Sequence, residues 1–175
     1  MKRMLRKVMV LVLVLALLGT SATVLAAQDA SIEIDLKKIG AQSFEVQWQG
    51  QPATITIGEA ERVGPQPRLS YDLTEGVGSW SRLVYMTSGV INVQYHVYYT
   101  INSNNRVTID SISQFSASAI GMNYALQESG ILTKTETSSN AAVCYAFWHF
   151  WADNVGSTTI RLYAKFKDLK LTVTM

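Results

Sequence analysis

The chain has 175 residues, of which 48% are hydrophobic and 16% charged, and its formal net charge is +2. Cys144 is the only cysteine, which excludes an intramolecular disulfide and a cysteine-based zinc site. It stands in an apolar segment, over 141–147, where a free cysteine usually behaves as a small buried hydrophobe. We favour this interpretation over a catalytic thiol, which requires an electropositive and partly exposed setting.

The first 27 residues have the basic, apolar and small-residue order of a secretory signal peptide. Four Lys and Arg residues precede an apolar run over 8–18. This run is short for a bilayer span, which needs about 20 residues, so a permanent anchor is the weaker interpretation. We predict a signal-peptide helix over 1–26, cleaved after Ala26 or alternatively after Ala27, and a protein that is secreted or held in the cell envelope. The only membrane contact predicted is through the uncleaved leader.

Removing residues 1–26 changes the charge balance, because the leader holds four of the 15 basic residues and none of the 13 acidic ones. The remaining 11 basic and 13 acidic residues give a net charge of −2. Nucleic-acid binding is therefore not expected, since it depends on many basic contacts to phosphate. Four basic residues gather near the C-terminus around Asp168, and we interpret them as a solvated strand face in preference to an anion site. They are Arg161, Lys165, Lys167 and Lys170.

Beyond the leader, apolar and polar residues alternate with the period of two that indicates strands with one buried face. The pattern opens over 31–37. Two further alternating runs, over 44–49 and 53–57, flank Gly50-Gln51-Pro52, and we predict a hairpin that reverses at this Gly-x-Pro turn. The segment 58–68 that follows contains Gly and Pro breakers among charged residues, so it is predicted to be a polar loop.

The remaining strands fall within 69–175. The clearest covers 89–101, where the odd-numbered apolar residues from 91 onward share one face. The asparagine-rich turn over 102–105 ends it, because asparagine tolerates the left-handed conformation of a tight reversal. The stretch 116–130 fits either a strand or a short helix. The other predicted strands cover 69–73, 80–86, 107–109, 131–137, 141–151, 158–166 and 169–175.

Short strands separated by turn signals, with no long helical pattern after the leader, indicate an all-β protein. We predict an antiparallel β-sandwich or barrel of about 8–11 short strands. About 149 residues fit one domain, and a chain of that length buries enough surface to fold without disulfides. The prediction is a single β-rich domain over 27–175, made of a hairpin over 31–58, a loop over 58–68 and a main sheet over 69–175.

The densest aromatic segment runs from 145 to 151. If it is a strand, its odd-numbered residues share one side, while Trp148 and Phe150 share the other. Rings beside Asp and Asn suit a sugar-binding surface, because rings stack on the apolar face of a pyranose; the same composition more often forms a core. A second set of aromatic residues lies around His96, which is on the polar face of its strand. The predicted ligand-binding residues are His96, Tyr98, Trp148, His149, Trp151 and Asp153.

No motif for catalysis, metal binding or cofactor binding accompanies these residues. His96 and His149 are the only histidines, and neither stands at zinc or calcium spacing. The sequence contains no nucleophile elbow and no phosphate-binding glycine loop. We predict no metal and no cofactor, leave the catalytic residues unassigned and lean against an enzyme. Carboxylates that glycoside hydrolysis could use are present, as in any soluble domain: Asp72, Glu75, Asp110, Glu128, Glu136 and Asp153.

Three features of residues 80–175 resemble a group of small exported proteins of Gram-positive bacteria that carry a domain of unknown function. They are the run Gly89-Val90-Ile91-Asn92 that opens a long aromatic strand, the asparagine-rich turn over 102–105, and the closing pair of strands from Thr158 onward. The resemblance implies an exported β domain in the cell envelope or outside the cell. It transfers no site residue and no activity.

The leading hypothesis is a non-catalytic module that uses an exposed sheet face to bind an envelope glycan, another extracellular protein or itself. It predicts that Tyr98, Trp148, Trp151 or a subset of them lies in one exposed patch. The alternative is a secreted hydrolase of envelope polysaccharide or peptide, which a cleft with two carboxyl groups near His96 or His149 would favour. A third hypothesis is an inhibitor or structural protein that presents the loop over 59–68.

Overall fold

The computed structural model describes residues 30–64, 75–153 and 156–175. The predicted signal peptide and the strand predicted over 69–73 lie outside these residues. The described part is all-β, as predicted, and none of its elements is a helix that could cross a membrane. Its strands are β1 (Ser31–Asp35), β2 (Gln42–Trp48), β3 (Gln51–Ile57), β4 (Glu61–Arg62), β5 (Gly78–Thr87), β6 (Ile91–Ile101), β7 (Val107–Ala119), β8 (Asn123–Thr133), β9 (Ala142–Ala152), β10 (Gly156–Lys167) and β11 (Lys170–Thr174).

The strands form two antiparallel sheets that face each other as a sandwich. Sheet A has the order β1-β11-β10-β9-β8, and sheet B has the order β2-β3-β5-β6-β7 with β4 added beside β5. Alternate residues of both sheets point inward and form one buried cluster. Rings from the two sheets meet in it, since the centroids of Tyr99 on β6 and Phe166 on β10 lie 4.7 Å apart. The inward row predicted for β6 is confirmed, because its odd-numbered residues are all buried.

The alternating runs over 44–49 and 53–57 form a hairpin, as β2 and β3, but its turn lies elsewhere. The predicted bounds of 31–58 are wrong, because β1 pairs with β11 in sheet A. The reversal is made by Gln49 and Gly50, whose φ angles are 49° and 76°, and this pair of positive values suits a two-residue hairpin turn. Pro52 is a residue of β3 and lies opposite Gln47. It is tolerated there because β3 begins to pair with β5 only at Thr54, so the missing backbone N–H removes no bond to β5.

Two other sequence predictions are corrected, and the alternative left open for a third segment is decided. The segment 58–68 is not wholly a loop, because Glu61–Arg62 pairs with β5. The ambiguous stretch 116–130 is extended throughout apart from a turn at 120–122, where Gly121 has a φ of 72°. The strand predicted over 131–137 ends at Thr133, since the chain there leaves sheet A, and Thr135 forms an isolated bridge with Thr108 at the start of β7.

A buried carboxylate, Glu136, stabilises the segment after β8, where the chain leaves sheet A and contacts sheet B. It is 3% exposed and accepts a hydrogen bond from Arg106 Nη1 at 2.7 Å. Its two oxygens also accept from the backbone N–H groups of Val107, at 3.1 Å, and Asp168, at 2.9 Å. Asp168 lies in the tight turn between β10 and β11. Glu136 therefore ties the chain after β8 to β7 of one sheet and to the β10–β11 turn of the other.

A second buried polar network lies at the inner side of β5. Arg82 is 1% exposed and donates from Nε to Glu75 Oε1 at 2.5 Å. It also donates to the backbone oxygens of Gly58, at 2.9 Å, and Lys38, at 2.5 Å. The other oxygen of Glu75 accepts from the hydroxyl of Tyr99 at 2.6 Å. Burial raises the pKa of the Glu75 carboxyl above its usual value, and the charge of Arg82 opposes that rise.

Candidate ligand-binding site

The structure divides the predicted aromatic segment between the core and the surface. As the alternation predicted, the odd-numbered residues of β9 share one side and Trp148 and Phe150 share the other. Trp148 is 1% exposed, and its ring centroid lies 6.4 Å from that of Tyr95 in the opposite sheet. The prediction that Trp148 binds a ligand on the surface is therefore wrong. Trp148 belongs to the core, which was the alternative interpretation.

The other predicted residues lie on two faces that point away from each other. His96 and Tyr98 are on the outer face of sheet B, with ring centroids 6.4 Å apart, and Tyr98 accepts a hydrogen bond from Gln114. His149 and Trp151 are on the outer face of sheet A, and Asp153 follows them in an exposed turn. The six residues therefore do not form one patch, and only the group on sheet A is contiguous.

The outer face of β9 and β10 carries the densest set of surface rings in the described part of the chain, and we call it the aromatic face. Two pairs of rings stack on it. His149 and Trp151 have centroids 5.5 Å apart and planes inclined by 22°, and Tyr145 and Tyr163 have centroids 5.6 Å apart and planes inclined by 28°. Between the pairs, the guanidinium carbon of Arg161 lies 4.5 Å from the centroid of the Phe147 ring. The aromatic face is defined by Tyr145, Phe147, His149, Trp151, Arg161 and Tyr163.

The neighbouring strand β8 has small residues opposite two of these rings, since Ala125 lies opposite His149 and Gly130 lies opposite Tyr145. The longer side chain of Glu128, opposite Phe147, reaches the hydroxyl of Tyr145. A Cβ added to Gly130 would lie 3.4 Å from the Tyr145 ring, which shows how closely the ring edge approaches the backbone of β8. All the rings of the aromatic face are half-buried, and each keeps part of its surface in contact with solvent. The face is therefore an apolar platform with limited side-chain freedom.

Polar groups border the platform. Ser157 lies opposite Trp151, and Thr159 lies opposite His149, on the same side of the sheet. At the other end the hydroxyl of Tyr145 donates a hydrogen bond to Glu128. This bond raises the pKa of the Tyr145 hydroxyl above its usual value, because the carboxylate holds its proton. The arrangement combines ring surfaces with hydroxyl and carboxylate groups that can bond to a hydroxyl-rich ligand.

Sequence reasoning missed the contribution of β10 to this site. Tyr145 and Phe147 were placed on the same side as Trp151 but were not assigned to the site. Arg161 and Tyr163 join them only because the register of β9 with β10 sets Arg161 opposite Phe147 and Tyr163 opposite Tyr145. The signal in the sequence was the alternating run over 158–166, whose outward positions include the aromatic residue Tyr163.

A small depression beside His96 is the place where the structure brings carboxyl groups near a histidine. It has a volume of about 170 Å³ and is lined by Glu59, Glu61, Ser81 and His96, among others. Ligand pockets usually measure about 300–1,000 Å³. In the described ranges no hydrogen bond joins His96 to either carboxylate, and no group of three or more His, Cys, Asp or Glu is placed to hold a metal ion. The depression therefore lacks the contacts of an assembled catalytic or metal centre.

A wider depression of about 580 Å³ lies at the β2–β3 hairpin. Its walls include Glu45, Gln47, Pro52 and Thr54. None of the predicted site residues lies in it, and its wall has neither a stacked ring pair nor a histidine.

Cys144 lies on the inner face of β9 and is fully buried, which confirms its interpretation as a buried hydrophobe. Burial raises the pKa of its thiol to about 12. Because only the thiolate reacts readily, we expect no labelling of the folded protein by iodoacetamide, and no increase between about pH 7 and pH 9. A free cysteine, with a pKa of about 8.5, becomes reactive in that range. Mass spectrometry should detect labelling only after unfolding in urea; equal labelling of the folded protein would contradict the prediction.

Comparison with known proteins shows no family for this chain. No protein-family model matches the chain, and no curated protein matches it significantly. Among solved structures, the chain is similar to the 2.75 Å crystal structure of a hypothetical protein from Listeria monocytogenes EGD-e, with 19% sequence identity and a TM-score of 0.37. The match covers 77% of this chain and 92% of that chain. A likeness of this degree leaves function to be argued from the residues of this chain, and the resemblance to exported proteins stays a prediction.

Proposed function

We propose that the chain is an exported, non-catalytic binding module and that its aromatic face binds an extracellular glycan. The observation that carries the proposal is the row of half-exposed rings on the outer face of β9, extended by Tyr163 on β10. An antiparallel sheet normally has one apolar and one polar face. β6 follows this rule, since its outward residues include Asn92, Gln94 and Thr100. β9 departs from it, and burial in the core does not explain its outward rings.

The chemistry of the aromatic face suits a sugar. Flat rings bind the apolar face of a pyranose, and the bordering hydroxyls and carboxylates can bond to its hydroxyl groups. The rings are already packed in pairs, so little side-chain freedom is lost when a ligand binds. The polar border favours a hydroxyl-rich ligand over the apolar surface of another protein. The export part of the proposal depends on the signal-peptide pattern over 1–26.

A glycan array tests the proposal. The sample is the chain from residue 27 onward, which contains every strand that the structure describes, with its β structure checked by circular dichroism. We expect retention on at least one polysaccharide and at least about a tenfold loss of affinity in Trp151→Ala, because a stacked ring is lost. Tyr98→Ala is the matched control, since it removes a half-buried ring from the opposite face, and it should bind like the wild type.

Two results would refute this function. Retention on no glycan would remove its basis, and an equal loss in Tyr98→Ala and Trp151→Ala would show that the aromatic face is not the binding surface.

The second candidate function is a hydrolase, which the pair Glu59 and Glu61 beside His96 favours. It predicts that reducing ends accumulate when the protein is incubated with a retained polysaccharide, and that His96→Ala abolishes their release. A binding module releases none.

A further inference from the structure

We propose that the ligand of the aromatic face is an acidic polysaccharide, and that Arg161 and Lys165 bind the carboxylates of its uronic acid residues. This inference rests on the proposed glycan-binding function and specifies its ligand. Arg161, Tyr163 and Lys165 follow each other on the outward side of β10, so that a ring lies between two cations. At about 3.3 Å per residue, the two cations are separated by about 13 Å along the strand, far enough to contact different sugars of one chain.

The two cations are available for a ligand. Both are exposed, and among the described residues neither forms an ion pair with a carboxylate. The other basic residues of the C-terminal group are engaged within the protein. Lys167 donates to the backbone oxygens of residues 137 and 138, and Lys170 pairs with Glu33 at 2.7 Å. Arg161, Lys165 and Lys170 are exposed, as the solvated-face interpretation predicts, and Lys167 is half-buried. Lys170 has a surface partner in Glu33, while Arg161 and Lys165 are free to meet an anion.

The position of Arg161 is suited to recognition of a charged sugar. Its guanidinium lies against the Phe147 ring, and this cation–π contact holds the side chain over the sheet. A planar guanidinium can donate two parallel hydrogen bonds to one carboxylate. A sugar that stacks on the neighbouring rings would place a ring carboxylate within reach of these donors.

Among the described residues, no acidic group on this face forms an ion pair with Arg161 or Lys165. Glu128, on β8, keeps its charge while it accepts a hydrogen bond from the neutral hydroxyl of Tyr145, and Glu33 pairs with Lys170. Asp153 lies beyond Trp151, at the end of β9 away from Lys165.

The rings also distinguish between two sources of negative charge in a ligand. A polyol phosphate has no pyranose ring to stack on them, whereas a polyuronic acid offers a ring and a carboxylate in each sugar.

The test compares matched polymers by isothermal titration calorimetry, with the chain from residue 27 onward. The probes are polygalacturonate, its carboxyl-reduced neutral form and polyglycerol phosphate. We expect polygalacturonate to bind at least about tenfold more tightly than the other two, with an affinity that falls as salt is added. Arg161→Gln and Lys165→Gln should each weaken binding of polygalacturonate several-fold. Lys165→Gln, which lies outside the aromatic face, should leave binding of the neutral polymer unchanged. Lys37→Gln, in the exposed turn after β1, is the charge-matched control and should have no effect.

Each of the other outcomes would refute one part of the proposal. Equal binding of polygalacturonate and its neutral form, or a stronger array signal from neutral glycans, would refute the acidic ligand and leave glycan binding intact. Polyglycerol phosphate binding as tightly as polygalacturonate would refute the assignment to ring carboxylates. No binding of these polymers together with no retention on the glycan array would refute the proposed function itself.

Discussion

Replacing Arg82 with methionine is expected to lower the free energy of unfolding by about 3–5 kcal/mol, the usual cost of removing one partner of a buried ion pair. Methionine keeps the length of the side chain but none of its donors. Glu75 would lose its countercharge, and the backbone oxygens of Gly58 and Lys38 would each lose a hydrogen bond. Urea denaturation followed by tryptophan fluorescence measures the change.

The destabilisation should also depend on pH. Burial already raises the pKa of Glu75, and removing Arg82 takes away the charge that opposes this rise. A carboxyl whose pKa is higher in the folded than in the unfolded state keeps its proton longer when folded, so stability falls as the pH rises through that interval. The deficit of Arg82→Met should therefore be larger at about pH 7 than at about pH 4, where the carboxyl can be neutral in both states.

Two further variants decide whether the ion pair is responsible. Lys165→Met replaces an exposed cation and should change stability by no more than about 0.5 kcal/mol. The double variant Glu75→Leu, Arg82→Met removes both charges and should recover part of the loss, since paired apolar replacement is often neutral. A loss of less than about 1 kcal/mol in Arg82→Met at neutral pH would show that the network contributes little to stability.

Trp148→Ala is expected to lower stability and Trp151→Ala to lower glycan binding, although the two residues are only three positions apart. Trp148 is 1% exposed and packs against Tyr95 across the core, so its truncation should cost about 3–5 kcal/mol of stability. Trp151 is half-buried on the aromatic face, with His149 as its stacking partner. Its truncation should cost less than about 1 kcal/mol and should act on glycan binding instead.

Thermal unfolding and the glycan array together measure this separation. Trp148→Ala, assayed well below its lowered melting temperature, should retain glycan affinity, because no atom of Trp148 reaches the aromatic face. Trp148→Phe provides a milder core variant if the alanine variant does not fold. A larger loss of stability in Trp151→Ala than in Trp148→Ala would contradict the assignment of the two side chains.

Much of the fold was predictable because the strands are long and alternate clearly. The inward row of β6 and the division of β9 into two sides follow from the period of two alone. The errors occur where the backbone departs from that period. The Gln49-Gly50 turn requires positive φ angles that the nearby Gly-x-Pro pattern obscured, and the end of β8 depends on a bridge between Thr135 and Thr108.

The candidate site was predictable only in part. Alternation indicated that Trp151 and His149 share a side, but it could not tell which side of β9 faces the core, because both sides carry rings. That choice depends on what the opposite sheet offers, and here Tyr95 lies against Trp148. Arg161 and Tyr163 could not be assigned either, since antiparallel pairing of β9 with β10 places them beside Phe147 and Tyr145 from distant positions in the chain.

The sequence by itself determined the all-β class, most of the strands and the pairs of residues that share a side of each strand. These properties are local, since side-chain direction in a strand alternates whatever the strand packs against. Only the tertiary structure decided which side of β9 is buried, that His96 and Trp151 lie on opposite outer faces, and that Arg161 and Lys165 flank a platform of rings. Those facts depend on strand order and register, which are fixed by contacts between residues far apart in the chain.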